Sequence, residues 1–544
     1  MAAGSHPLFA RIYAARGVVD PLELATDFTR LHPPDAMLNL KRMATLLADA
    51  IAARARLVIV ADYDADGATA CAVGMRALRA FGAQVQYLVP NRFEHGYGLT
   101  PEIVRLAHAS SRPDVLITVD NGIASVDGVA EANRLGTKVL ITDHHLPAET
   151  LPEAWCIVNP NQPGCDFPSK HLAGVGVMFY LMLALRAELR SRGGLATEPN
   201  LAHLLDLVAL GTVADVVRLD ANNRVLVQQG LKRIRAGRMQ PGVAALFRAA
   251  GREPARAGCY DLAFCLGPRL NAAGRMTDMS LGIECLTTDD VSRAETIARE
   301  LDALNRNRRE VEAQMQDSAL AAIGETSHAS ALVVFDADWH QGVIGIVASR
   351  LKDRFHRPVI AFARGTDGEI KGSGRSIAGL HLRDALDLVA KRWPGLVLRF
   401  GGHAAAAGLS VRESDFGAFR EAFEQTVQSL LTPADLERQV DTDGSLAPEY
   451  ANYEIAAEIA QGVWGQGFPE PCFFDAFDVL EQRIVGSGHA RLRLARGHRN
   501  FSAMLFGETS ELPRRIEAAY RFELNDYGGL QSLQLTVQHW RALT

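Results

Sequence analysis

Three times within the first 145 residues a β-branched apolar run ends in aspartate: LVIVADYDADG at 57–67, VLITVDNG at 115–122 and KVLITDHH at 138–145. If these runs pair in one sheet, Asp62, Asp64, Asp66, Asp120, Asp143, His144 and His145 gather at neighbouring strand ends. Buried strands of an open α/β sheet read as unbroken Val/Ile/Leu runs, and ligands collect in the crevice beyond their carboxyl ends. Pooled acids without basic neutralisers repel one another unless cations fill the pool, so these residue types point to divalent metal. One Val-Asp-Asn-Gly is an ordinary turn, and one histidine pair an ordinary surface feature. Three strand-terminal acids, alternating carboxylates at 62, 64 and 66 and an Asp-His-His triplet together mark a site.

The elements that must position these groups follow from periodicity. Apolar runs at 57–61, 84–89, 115–119 and 138–142 alternate with helical stretches at 68–81, 101–109 and 124–135, which predicts a parallel α/β sheet. Mostly helical sequence follows from 172 to 250, with Asp215 in the loop after a helix around 201–211. Residues 289–323 hold no Gly or Pro and keep a helical period, which predicts a long helix bridging two lobes. A second α/β unit begins at ALVVFDADW (331–339) and ends near 430. Beyond a polar linker, FDVLEQRIV, ARLRLAR, NFSAMLF and QSLQLTVQHW are the short strands of a small β-barrel within 446–544. The expected division is an N-terminal extension packed on the core (1–50), a catalytic domain (51–285), the connecting helix (286–325), the second α/β domain (326–432) and the barrel (446–544).

A chain of 544 residues is long enough for about three domains, and 48% hydrophobic with 22% charged residues is ordinary globular composition. The N-terminal segment, interrupted by Arg11 and Arg16, is not expected to be a signal peptide, and no apolar stretch is long enough to span a bilayer. The seven cysteines show neither zinc spacing nor a disulfide framework, so a reducing cytoplasm is the expected compartment. A net charge of −6 argues against nucleic acid, but its local distribution argues for it. Residues 224–256 carry eight Arg/Lys against Glu253 alone, a pattern that a solvated helix face also gives. Residues 483–499 carry five arginines and two histidines with no acid, alternate as a strand would, and are followed by Phe501 and Phe506.

ADYDADGATA, TVDNG and TDHH resemble the first three motifs of the DHH phosphoesterases, and GTVADVV at 211–217 resembles the fourth, which contributes Asp215. GGHAAAAG at 401–408 looks like the signature of the DHH-associated domain. GPRLNAAGR at 267–275, WHQGVIGIVASRL at 339–351 and GSGRSI at 372–377 resemble the bacterial RecJ family of single-strand-specific exonucleases. The resemblance implies an OB-fold for the barrel and two metal ions. Asp120 would bridge them, Asp64 with Asp62 would hold one, and Asp66, His144 and Asp215 would hold the other. Asp143 would orient a histidine, and His145 would face the scissile phosphate. Mn²⁺ or Mg²⁺ suits the oxygen-rich set better than zinc, and the imidazole favours Mn²⁺. By the same resemblance Arg269, Asn271 and Arg275 lie near the scissile group, Arg275 among the catalytic residues, and Arg92 contacts a 5′-phosphate. Ser373, Arg375 and His403 supply further phosphate contacts from the second lobe.

The reaction implied is removal of nucleotides from the 5′ end of single-stranded DNA as 5′-mononucleotides, in repair and recombination. The expected partners are single-stranded DNA, a single-strand-binding protein and a repair helicase, with no membrane, and the chain is expected to act as a monomer. Two other readings are a phosphoesterase acting on oligoribonucleotides or other small phosphates, and a non-catalytic single-strand-binding scaffold of replication. The barrel and basic stretches speak against the first, and the full ligand set against the second.

Overall fold

A computed structural model of the chain describes residues 6–91, 98–194, 197–324, 329–486, 488–527 and 530–543. It divides into two compact units, residues 1–302 with 440–544, and residues 303–439.

In the first unit, α1 (Pro7–Ala15) and α2 (Leu40–Ala52) precede a five-stranded sheet of β1 (Arg56–Ala61), β2 (Gln84–Leu88), β3 (Val115–Val119), β4 (Lys138–Thr142) and β5 (Cys156–Val158). The order is β2-β1-β3-β4-β5, with every pairing parallel. Parallel neighbours need crossovers, and α3 (Ala65–Ala80), α4 (Pro101–Ser111) and α5 (Val126–Arg134) supply three of them. Unbroken apolar strands fit a sheet covered on both faces: β3 is buried at every position, and Val58, Val60, Leu116, Val139 and Ile141 pack with Ile103, Val104 and Val129 from α4 and α5. The four strands expected from the sequence are present. β5 is an addition, because three residues are too few to show a period.

Helices α6 (Gly174–Ser191), α7 (Leu205–Ala214), α8 (Ala221–Arg235), α9 (Pro241–Ala249), α10 (Gly267–Met276) and α11 (Ser280–Thr287) follow. α7 is buried from Leu205 through Val213 and continues past the expected end at 211, so Asp215 is its C-terminal cap and not a loop residue. α12 (Val291–Ile323) runs from the first unit into the second.

The second unit holds β6 (Leu332–Asp336), α13 (Ile344–Phe355), β7 (Val359–Arg364), β8 (Glu369–Arg375), α14 (Leu382–Arg392), β9 (Arg399–Gly402), β10 (Ala406–Arg412) and α15 (Phe416–Leu430). Its sheet has the order β6-β7-β8-β10-β9, parallel only between β6 and β7, over a core that includes Phe362, Phe419 and Phe423.

Back in the first unit, α16 (Tyr453–Gln461) leads into β11 (Phe473–Val485), β12 (His489–Arg496), β13 (Arg499–Phe506), β14 (Arg515–Tyr527) and β15 (Leu530–Ala542). They close into a barrel in the order β11-β12-β13-β15-β14. β14 is absent from the strands expected from the sequence. It starts with Arg-Ile-Glu, and its register against β15 shifts between Ala519 and Tyr520, which breaks the period-2 pattern.

Candidate metal centre

The sheet register aligns Ala61, Val119, Thr142 and Val158 on β1, β3, β4 and β5. The next residue of each strand forms a second row, Asp62, Asp120, Asp143 and Asn159. Backbone bonds fasten it: Asp62 N donates to Val119 O at 3.3 Å, Asp120 N to Thr142 O at 3.1 Å and Asp143 N to Val158 O at 3.2 Å. Three of the four members of this buried row are carboxylates.

Asp120 takes φ +62°, a left-handed conformation that costs about 1–2 kcal/mol in a residue with a side chain. Its carboxylate lies over the start of α6, where a Cβ on Gly174 would come 2.7 Å from Asp120 Cβ and 2.8 Å from Oδ1. Gly174 N and Val175 N donate to Asp66 at 2.6 and 2.9 Å, so an anion sits where the helix amides and dipole favour it. Burial, then the charge of Asp64, nevertheless raises Asp66 to about 7. Burial likewise holds Asp62, Asp120 and Asp215 well above the usual carboxylate range, helped by Asp64 at Asp62 and by Asp66 at the other two.

The histidines divide by environment. His144 Nε2 lies 3.0 Å from Asp120 Oδ1, 3.5 Å from Asp215 Oδ2 and 3.9 Å from Asp66 Oδ2, and burial lowers its pKa to about 4. Asp143 accepts from Ile123 N at 2.9 Å, His144 N at 2.7 Å and His145 N at 3.1 Å, and its Oδ1 is 2.8 Å from His145 Nδ1. Burial is the largest single influence on His145 and opposes a charge, but the Asp143 bond and the charges of Asp143, Asp62 and Asp64 together outweigh it and raise that imidazole to about 9.

Among the described residues, three groups of donor atoms come within ligating reach: Asp62, Asp64 and Asp120; Asp66, His144 and Asp215; Asp120, His144 and His145. Asp120 Oδ1 and His144 Nε2 are buried without a hydrogen bond among the described residues. With its proton on Nδ1, a neutral imidazole turns the Nε2 lone pair toward a carboxylate oxygen 3.0 Å away, and a divalent cation satisfies both. The donors present therefore fit hard divalent ions.

Sequence reasoning missed several residues that hold this row. Asn159 Nδ2 donates to His145 O at 2.9 Å and Asn161 Nδ2 to His144 O at 2.6 Å, so the Asn-Pro-Asn turn after β5 fixes the histidine backbone. The signal was an asparagine-rich turn following a strand too short to notice. α10 acts on the other flank: Asn271 Oδ1 accepts from Ala65 N at 2.8 Å, and a Cβ on Gly274 would come 1.9 Å from Tyr63 O. Arg269 on the same helix bonds Asp302 at 2.8 Å and Cys265 O at 2.6 Å, which commits its guanidinium to internal partners. Arg275 lies in the last turn of α10, half-buried. Arg92 lies outside the described residues.

In the second unit, Arg375 Nη1 donates to Ser373 Oγ at 3.2 Å and Gly374 O at 2.8 Å. Among the described residues it has no carboxylate partner, and burial lowers its pKa. A Cβ on Gly345, in the first turn of α13, would lie 2.9 Å from Ser373 Oγ and 3.0 Å from Arg375 Nη2. A guanidinium under a helix N-terminus places two positive ends together, the electrostatics of an anion site. His403 is exposed between β9 and β10.

The basic stretches part company. Arg224 is buried, bonds Leu219 O and Glu23 O and lies 4.2 Å over the Phe468 ring; Arg235 bonds Ala257 O. On the barrel, Arg491 and Arg493 point outward from β12, Arg483 opposes Arg491 across β11, and Phe506 is 59% exposed. Arg496 turns inward to Asp475 at 2.9 Å.

Three family models match the chain: the DHH family N-terminal domain over 56–212, the DHHA1 domain over 328–429 and the RecJ OB domain over 442–539. The single-stranded-DNA-specific exonuclease RecJ of Dickeya dadantii is 50% identical over 552 residues, covering 98% of this chain and 95% of that protein. The protein of the same name from Escherichia coli is 47% identical over 551 residues, with the same coverage, 98% and 95%. The crystal structure of RecJ in complex with Mn²⁺ from Thermus thermophilus superposes with a TM-score of 0.83 at 32% identity, over 99% of this chain and 76% of that one.

Proposed function

The chain belongs to the RecJ family of single-stranded-DNA-specific exonucleases, and from that premise we propose that it hydrolyses single-stranded DNA from the 5′ end to 5′-mononucleotides, using two divalent metal ions. The observation that carries the reading is the buried row Asp62, Asp120 and Asp143, with Asp120 Oδ1 facing His144 Nε2 at 3.0 Å and neither atom hydrogen-bonded among the described residues. Asp62 and Asp64 would hold one ion and Asp66, His144 and Asp215 the other, with Asp120 as the ligand common to both. Mn²⁺ is favoured and Mg²⁺ suits the same oxygens. When bound, such a pair supplies Lewis acidity that neutralises phosphate charge and acidifies a water.

The chain's own groups do the rest. Low basicity leaves His144 neutral and its Nε2 lone pair available as a ligand. The Asp143 bond orients His145 and keeps it protonated at neutral pH, so it donates to a non-bridging oxygen of the scissile phosphate. Asn271 and Gly274 hold the 62–66 loop in place, and Arg275 neutralises phosphate charge near it. Ser373, Arg375 and His403 bind phosphates, Arg375 with its fork, and Arg92 contacts the terminal one. Contacts of this kind address the backbone, so sequence preference is slight. The barrel engages the continuing strand, a surface that a small phosphate substrate does not need. The enzyme serves repair and recombination, alongside a single-strand-binding protein and a helicase, as a monomer in the cytoplasm.

The test is digestion of 5′-phosphorylated, 5′-blocked and 3′-blocked single strands and blunt duplex with Mn²⁺, with and without chelator, by the wild type and Asp120→Ala. The 5′-phosphorylated and 3′-blocked strands are degraded, the 5′-blocked strand and duplex resist, and Asp120→Ala binds single strands without cutting them. Degradation from the 3′ end would overturn the polarity, and near-normal rates in Asp120→Ala would overturn the site.

A further inference from the structure

Tyr260 and Phe264 are 58% and 68% exposed, and their rings touch each other with centroids 5.1 Å apart and planes tilted by 36°. Single exposed apolar residues are ordinary; two large aromatic rings paired with each other outside the core are a surface feature that needs a partner. The helical turn that presents them is of the π type, Asp261–Leu266, a rare geometry that recurs at functional sites. Its first residue is fixed from within: buried Asp261 accepts from Arg252 Nε at 2.6 Å and Gly258 N at 2.9 Å.

The location gives the pair its meaning. The π turn packs on α7, the helix that ends at Asp215, and a Cβ on Gly267 would lie 3.0 Å from Ala214 Cβ. It runs directly into α10, whose Asn271 and Gly274 hold the 62–66 loop. On its other side the Cys259 thiol meets the backbone of Trp464, in the segment that leads into the barrel. The half-exposed Arg252 guanidinium is held at the start of the same turn by Asp261, next in sequence to Tyr260. Aromatic faces next to a cation, between the acidic cluster and the barrel of one compact unit, have the chemistry of a single-strand platform: bases stack on the rings while the guanidinium follows the backbone.

We propose that Tyr260 and Phe264 form a stacking platform for nucleobases of the single strand on the barrel side of the scissile phosphate. The inference rests on the exonuclease reading and adds to it a site that recognises bases by their π-faces. Because every base has such a face, the platform grips single strands without reading sequence, and paired bases in a duplex cannot reach it.

The test uses the full-length chain in chelator, so that binding is read without hydrolysis. Affinity is measured for a 5′-phosphorylated mixed-sequence strand, for strands in which a short block of abasic sites is moved along the length, and for a fully abasic strand. In the wild type, abasic sites at one register weaken binding by roughly tenfold or more, the loss expected for stacked bases. Tyr260→Ala/Phe264→Ala weakens binding of the normal strand by a similar factor, no longer responds to abasic sites at that register, and binds the fully abasic strand as the wild type does. Phe264→Trp, which keeps an aromatic face beside Tyr260, retains the preference for bases. A 2-aminopurine at the sensitive register is quenched by the wild type and by Phe264→Trp, and not by the double variant. A folded double variant with the wild-type ratio of normal to abasic affinity would overturn the platform, and so would a wild type with no sensitive register, whatever the variants do. A wild type that neither binds nor degrades single strands would instead remove the exonuclease reading itself.

Discussion

Asp120 shows how much one residue depends on what is absent opposite it. Its left-handed backbone turns the carboxylate toward the amino end of α6, and the missing Cβ of Gly174 is what makes room for it. Gly174→Ala would push a methyl to 2.7 Å from Asp120 Cβ, and the carboxylate must move because the helix backbone cannot. Mn²⁺ affinity, read by titration calorimetry, and single-strand hydrolysis should both fall by about tenfold or more, as when a ligand's support is removed, while the fold survives. Unchanged affinity would mean that Asp120 is not a ligand. The charges give a second expectation. Asp62, Asp66, Asp120 and Asp215 all have raised pKa values in the folded, metal-free chain, Asp66 to about 7. A raised acid favours folding while protonated, so its stabilisation is complete below the unfolded value near 3.9 and is lost as pH rises through the folded one. The metal-free chain should therefore lose stability toward pH 7 and above, and Mn²⁺, which binds the ionised carboxylates, should raise Tm more at about pH 8 than at about pH 5.5. An equal Tm gain at both would count against the cluster as the binding site. The acids and histidines were legible because each ends an apolar run. The amides of Gly174 and Val175 were not, since nothing in LAGVGVMF records that Asp66, more than a hundred positions earlier, is their partner.

At the scale of elements, the 62–66 loop is clamped between α6 and α10, and the clamp can be tested without touching a ligand. Asn271 Oδ1 accepts from Ala65 N, one of the amides that α3 leaves unpaired at its first turn. Asn271→Ala should cost about 1 kcal/mol of stability, a typical loss for a side-chain cap, and should lower kcat by loosening the loop. Asn271→Asp keeps the acceptor and should restore Tm, although a further negative charge beside the cluster should leave hydrolysis impaired. Thermal melts and single-turnover rates of the two variants check this; a normal rate in Asn271→Ala would show that the loop does not need the cap. The sequence made the parallel strands, the long α12 and four barrel strands readable, because each has a sustained period. It hid β5, which is too short, and β14, whose pattern a register shift interrupts, because in both the pairing partner and not the local pattern defines the strand.

Across the whole molecule, charge explains why an acidic chain can hold a polyanion. Screening confines exposed charges to about 10 Å at 0.1 M salt, so a net −6 matters less than what lies along the strand's path. The two basic stretches look alike in sequence, but the structure gives them different work. Arg224 is folded against Phe468; Leu219 N donating to Gln466 O at 2.8 Å ties the residues between α7 and α8, and the buried Arg16–Asp443 pair at 2.6 Å ties the end of α1, to the segment leading into the barrel. The sequence could not distinguish these roles, because inward and outward arginines differ only in the partners that distant residues bring. Arg483 and Arg491 are cross-strand neighbours on the barrel's outer face, and Arg491 has no ion-pair partner among the described residues. Replacing both with Ala should therefore leave the fold intact and weaken long single strands of any sequence equally. Removing one phosphate-neutralising cation from a single-strand complex flattens the dependence of log K on log salt by about 0.7, so the double variant should lower that slope by about 1.4. Fluorescence anisotropy across a salt series reads the slope directly. A slope equal to the wild type's would take this face of the barrel out of the strand's path, whereas a loss confined to one sequence would mean that the arginines read bases and not the backbone.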